Sequence, residues 1–187
     1  MTKPISTDAP TFREAMSLLA SAVTIITTDG PGGRHGFTAS AVCSVSDTPP
    51  TLLVCINRDG KTHPHVMAHG RIAINVLAES HDSLSNQFAD SRLDMTARFA
   101  TGDWQTGTTG LPILRDALAT LECRISETRD IGTHTVVFAE VDVVTLPKTA
   151  NRGLVWFRRG YVPVSYTHLR AHETAANIVC SLLLEKK

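Results

Sequence analysis

The chain has no excess of charge of either sign, with 18 Lys and Arg set against 18 Asp and Glu in 187 residues. No whole-molecule field therefore exists to gather nucleic acid or an anionic membrane, and a small molecule is the expected partner. There is no CxxC pair, because Cys43, Cys55, Cys123 and Cys180 lie far apart. No apolar segment follows a basic start, so free thiols in a reducing cytoplasm are expected. No uninterrupted apolar run approaches the roughly 20 residues that span a bilayer. The GxGxxG fingerprint of dinucleotide-binding folds is missing as well. What is present is a globular composition, 42% hydrophobic and 19% charged, in a length that suits one domain.

The first ten residues, with Pro4 and Pro10, read as a mobile arm. Thr11 and Glu14 have capping-box spacing, and Phe12, Ala15, Met16 and Leu19 recur on one helical face, which predicts a helix packed on a sheet. Val23 to Thr28 is β-branched and stops at Asp29-Gly30-Pro31-Gly32-Gly33, a hairpin signal. His35 to Val45 returns as a second strand, and Thr51 to Asn57 follows the Pro49-Pro50 break as a third. Thr62 to His69 reads as a Thr-capped helix with Pro64 in its first turn. Arg71 to Leu77 is a strand and Ser80 to Asp90 a helix. Thr101 to Gly110 shows no period and predicts a loop. Leu121, Cys123 and Ile125 alternate with Glu122, Arg124 and Ser126 as a half-buried strand. A hairpin at Asp130-Ile131-Gly132 leads into Thr133 to Leu146, and Leu154 to Phe157 closes the set. The sum is a mainly β fold, an antiparallel closed barrel or sandwich with helices only at connections.

Three segments are candidates for chemistry. Gly36 to Ser46 is a strand of small and hydroxylated side chains, on which a planar ring can approach the backbone, although a crowded barrel selects the same residues. Asn57-Arg58-Asp59-Gly60-Lys61-Thr62 places two cations and a hydroxyl ahead of a helix N-terminus, a setting that favours phosphate; a solvated turn is the plainer alternative. His65 and His69 stand one helical turn apart beside His63, but no acidic or Cys ligand accompanies them. No metal is expected there. His134, following Gly132-Thr133, is a lone histidine at a strand start.

The run GFTASAVCSVSDTPPTLLVCINRDGKTHP, with the later GTHTVVFAEV and LVWFRRGY, resembles the flavin reductase family with the FMN-binding split-barrel fold. That family includes the reductase components of two-component flavin-dependent monooxygenases. The resemblance covers residues 11–161 and implies an antiparallel, Greek-key split β-barrel acting as a homodimer, with flavin near the subunit interface. It implies an NAD(P)H:flavin reductase that moves hydride from NADH or NADPH to FMN or FAD and supplies a separate oxygenase. A flavin- or haem-binding split-barrel protein without turnover is the alternative.

By position in the motifs, Thr38, Ala39 and Ser40 line the isoalloxazine edge in this reading. Asn57, Lys61 and Thr62, with Arg58, hold the ribityl phosphate. His134 matches the histidine of the family's Gly-Asp-His motif, beside the nicotinamide, with Thr133 replacing the aspartate. Residues 162–187 depart from the pattern, and SYTHLRAHET within them resembles translated adaptor or vector sequence. They are expected to be a non-native tail.

Overall fold

Strand periodicity dominates the sequence, and it dominates the molecule. The computed structural model describes residues 8–147 and 152–163. In chain order its elements are α1 (Ala9–Ser17), β1 (Ser21–Ala22), β2 (Thr24–Gly30), β3 (Gly33–Ala39), β4 (Val42–Asp47), β5 (Pro50–Asn57), α2 (His63–His69) and β6 (Arg71–Val76). A 3-10 turn, Glu79–His81, then leads into α3 (Asp82–Ala89) and α4 (Met95–Arg98). The remainder is β7 (Trp104–Thr106), β8 (Pro112–Leu114), β9 (Ala119–Ile131), β10 (His134–Thr145), β11 (Leu154–Phe157) and β12 (Gly160–Pro163).

Seven strands make one antiparallel sheet in the order β3-β2-β6-β9-β10-β5-β4. Its two end strands are consecutive in the chain, joined only by Ser40 and Ala41. The sheet rolls up, because Ile26 of β2, Ala39 of β3, Val54 of β5, Ile74 of β6 and Val137 of β10 share one buried cluster. No ladder joins β3 to β4 among the described residues, so the barrel is split there. This is the mainly β, antiparallel class that the sequence predicts. Strand β2 is buried on both faces: Ile26 enters the barrel core, and Ile25 enters a second cluster with Leu84 and Phe88 of α3. Each such fully buried aliphatic contributes roughly 1.5–3 kcal/mol. Gly36 allows this layering, since a Cβ there would come within 2.7 Å of the Phe88 ring.

Several expectations are corrected. The first helix starts at Ala9, not Thr11, because Asp8 caps it by accepting from the Thr11 N–H at 2.8 Å. Its apolar face does not pack on the sheet: Phe12, Met16 and Leu19 are 61%, 45% and 57% exposed. The stretch His35 to Val45 is two strands, broken at Ser40–Ala41 where the chain passes from one sheet end to the other. Thr62 does not cap α2 with its side chain; its hydroxyl donates to the Gly36 carbonyl at 3.4 Å. The segment 101–110 contains β7, which pairs with β8. Glu122 is not on the solvent side but 1% exposed, accepting from the backbone N–H groups of Thr108 and Thr109. The set closes with β12 rather than β11, through a turn at Arg158 and Arg159, both with positive φ. Tail residues 164–187 lie outside the described residues.

Candidate functional site

Two adjoining cavities, of about 420 and 190 Å³, share Thr38 and Ala89 as a common wall. Together they form a cleft between β3, α3 and the loop after β5. Strand β3 places Thr38 there by alternation, and its hydroxyl donates to the Ser85 carbonyl at 2.6 Å, fastening α3 to the strand.

The larger cavity is the polar end. Strand β5 ends at Asn57, whose side-chain oxygen accepts from the Asp59 N–H at 3.0 Å and turns the chain towards Lys61. Asn57, Lys61 and Thr62 all line this cavity. The Lys61 ammonium reaches across it to the Ser91 carbonyl at 3.1 Å. Arg98 also lines it, a residue the sequence reading missed. The residue is 5% exposed, and its guanidinium donates to the carbonyls of Gly36 and Asp90, each at 2.8 Å, while its Nε has no partner among the described residues. No carboxylate pairs with it among the described residues. Burial lowers its pKa from the usual arginine value, an effect partly offset by Asp90. A buried cation held only by carbonyls is short of negative charge, and an anionic ligand group would supply it. The only signal available in the sequence was an arginine followed by Phe99 in an otherwise apolar turn.

The smaller cavity is more apolar, bounded by Val23, Trp156 and Tyr161 with Ser40 at its edge. Trp156 and Tyr161 meet edge to face, centroids 5.0 Å apart. Tyr161 is a second residue that the reading missed, because it stands on the unrecognised strand β12.

Of the remaining named residues, only His63 lines the cleft, at the larger cavity. Ala39 is buried and its side chain faces the barrel core. Arg58 turns away to pair with Asp130 at 3.4 Å. His134 stands opposite Asn57 in the β5–β10 ladder, exposed, with Nδ1 2.9 Å from the Thr133 hydroxyl; it lines neither cavity. The three histidines of α2 diverge: His63 meets Thr135, His69 meets Thr28, and His65 stacks on His35 at 3.4 Å.

This fold recurs in known proteins. The family model described as "Flavin reductase like domain" matches residues 16–165. The chain is 50% identical over 154 residues to the FMN reductase (NADH) RutF of Enterobacter sp. (strain 638), covering 82% of this chain and 93% of that one. The structure of the Streptomyces globisporus C-1027 NADH:FAD oxidoreductase SgcE6, in complex with NAD and FAD fragments, superposes with a TM-score of 0.81 at 27% identity over 89% of this chain and 99% of that one. The styrene monooxygenase flavin reductase SMOB of Pseudomonas putida S12 does so with a TM-score of 0.74 at 28% identity over 82% and 97%. With fold and sequence in agreement, the chain belongs to the flavin reductase family.

Proposed function

We propose that the cleft binds FMN or FAD with its phosphate at the Lys61–Arg98 end and its ring system between Thr38, Ser40 and the Trp156–Tyr161 wall. The protein is an NAD(P)H-dependent flavin reductase. The observation that carries the orientation is the buried, carboxylate-free guanidinium of Arg98 beside Lys61 at one end of a cleft whose other end is apolar. A bound flavin supplies the acceptor for hydride from NADH or NADPH, so the protein needs no nucleophile of its own.

The work of the chain is placement, and holding two rings at reacting distance accounts for much of the acceleration. Thr38 and Ser40 offer hydroxyls at the ring edge, and Ala39 keeps the backbone close by filling the barrel behind them. Asn57 and Thr62 shape the phosphate loop. Arg58, engaged by Asp130, supports that loop from outside. His134, exposed on the rim beside Asn57 at the phosphate end, is assigned to the nicotinamide cofactor rather than to the flavin. The chain acts in the cytoplasm as a homodimer, for which the exposed Phe12 and Met16 of α1, with Leu19 just beyond it, offer an apolar surface to the second copy. Reduced flavin passes to a separate oxygenase, in keeping with the styrene monooxygenase reductase among its relatives.

Steady-state oxidation of NADH and NADPH with free FMN and FAD tests this reading. Multiple turnovers that depend on added flavin are expected. Tight flavin binding without turnover would instead make the chain a flavin carrier.

A further inference from the structure

The apolar end of the cleft carries a hydrogen-bonded group that neither motif nor family membership accounts for. The hairpin β11–β12 turns through Arg158 and Arg159, at φ 50° and 61°. It is tied to α1 by an Arg158 N–H bond to the Ser17 carbonyl at 2.7 Å and an Arg159–Glu14 ion pair at 2.8 Å. The turn brings Tyr161 against α3, its hydroxyl 2.9 Å from Ser85 Oγ and 3.0 Å from Asn86 Oδ1.

The phenol has one proton, and Asn86 Oδ1 can only accept. Both contacts are satisfied together when Tyr161 donates to Asn86 and the Ser85 hydroxyl donates to Tyr161. In that arrangement the Asn86 carbonyl faces Tyr161. Its carbonyl is engaged, and its NH2, on an exposed residue that lines the cavity, makes no hydrogen bond to another described residue and is free to meet a ligand.

We infer that Asn86 is a ring-recognition residue, its NH2 donating to a carbonyl of the bound isoalloxazine, and that Tyr161 is its positioning residue. The inference rests on the proposed flavin cleft. A neutral donor at this end reads the ring, whereas Lys61 and Arg98 read the phosphate, so the two ends have separable signatures. Removing the Asn86 donor weakens binding of lumiflavin, riboflavin and FMN by one common factor. Tyr161→Phe keeps the edge contact with Trp156 and loses only the hydroxyl, so it should reproduce part of that factor.

The experiment is titration of lumiflavin, riboflavin and FMN into the full chain and into Asn86→Ala, Tyr161→Phe and the double variant, with Raman spectra of the bound flavin carbonyls. The expected result is an about fivefold to tenfold loss for Asn86→Ala that is equal for all three ligands, in line with one hydrogen bond. Tyr161→Phe should lose about threefold, add nothing in the double variant, and shift the same carbonyl band. Unchanged affinity and carbonyl bands in Asn86→Ala, while the unaltered chain binds all three ligands, overturns the inference and leaves the cleft intact. Full additivity in the double variant overturns the positioning role of Tyr161. Failure of the unaltered chain to bind any of the three would instead remove the flavin cleft itself.

Discussion

Lys61→Ala isolates the phosphate end of the cleft, because the side chain is exposed and its loss disturbs little else. Its one recorded partner is the carbonyl of Ser91, an exposed residue that water can serve once the ammonium is gone. Folding stability should therefore hardly move. Two charges 4 Å apart interact by about 1 kcal/mol in bulk water and about 4 kcal/mol near a protein surface. A charge-assisted hydrogen bond contributes about 1.5–3 kcal/mol. Lys61 sits at the wet end of that range and Arg98 remains to hold the phosphate, so a loss of about 1–2 kcal/mol is expected, near tenfold in Kd for FMN. At 1 M salt the screening length falls to about 3 Å from about 10 Å at 0.1 M, and the difference should shrink. Riboflavin, which lacks the phosphate, is the internal control and should bind both proteins equally. Flavin fluorescence titrations at the two salt concentrations read all four quantities. Equal losses for riboflavin and FMN, or an unchanged FMN affinity, would refute the orientation assigned to the cleft.

Further outcomes follow from the same geometry. His134→Ala should slow flavin reduction several-fold in stopped flow while leaving flavin affinity and Tm unchanged; a joint collapse of binding and melting would make it a structural barrel residue. The pKa of His35 is lowered, by burial first and by His65 next, with Arg98 adding to the effect and Asp29 and the Gly32 carbonyl opposing it. A histidine with a depressed folded pKa contributes stability above its unfolded value near 6.5 that is lost as pH falls through the folded one. Melting temperature should accordingly drop as pH falls below about 6.5, and His35→Phe, which can still stack on His65, should flatten that limb; an unaltered slope would refute the assignment. A chain ending at Pro163, the residue paired with Leu154, should fold and reduce flavin as well as the full chain, by thermal melting and NAD(P)H oxidation. Loss of either would show that residues 164–187 belong to the native fold.

The fold class was legible because the main strands of the large sheet carry local signals: β-branched runs at Thr24 to Thr28, alternation at Leu121 to Ile125, and a Gly132 hairpin. What failed were features set by distant contacts. Glu122 alternates as a surface residue should, yet the loop at Thr108 and Thr109 folds over it and buries the carboxylate. The helix α1 has an apolar stripe that none of the described residues covers, so its periodicity gave the helix but not its surroundings. Two positive-φ arginines hid the turn before β12, since glycine or asparagine is the usual mark of such a turn. At the site, Thr38, Ser40, Asn57, Lys61 and Thr62 were named from short motifs and do line the cleft, because each motif is local to one strand end or loop. Ala39 and Arg58 were named with them but point elsewhere. Arg98, Asn86 and Tyr161 come from three different elements, and only the packing of α3 and α4 on β3 and the contact of Tyr161 with α3 bring them to one cleft.

The most direct test of the account is anaerobic mixing of the flavin-loaded full chain with NADH or NADPH, followed by flavin absorbance. The account predicts rapid bleaching of the bound flavin and, with excess FMN or FAD, continued reduction over many turnovers. A bound flavin that stays oxidised in the presence of both nicotinamides would contradict it.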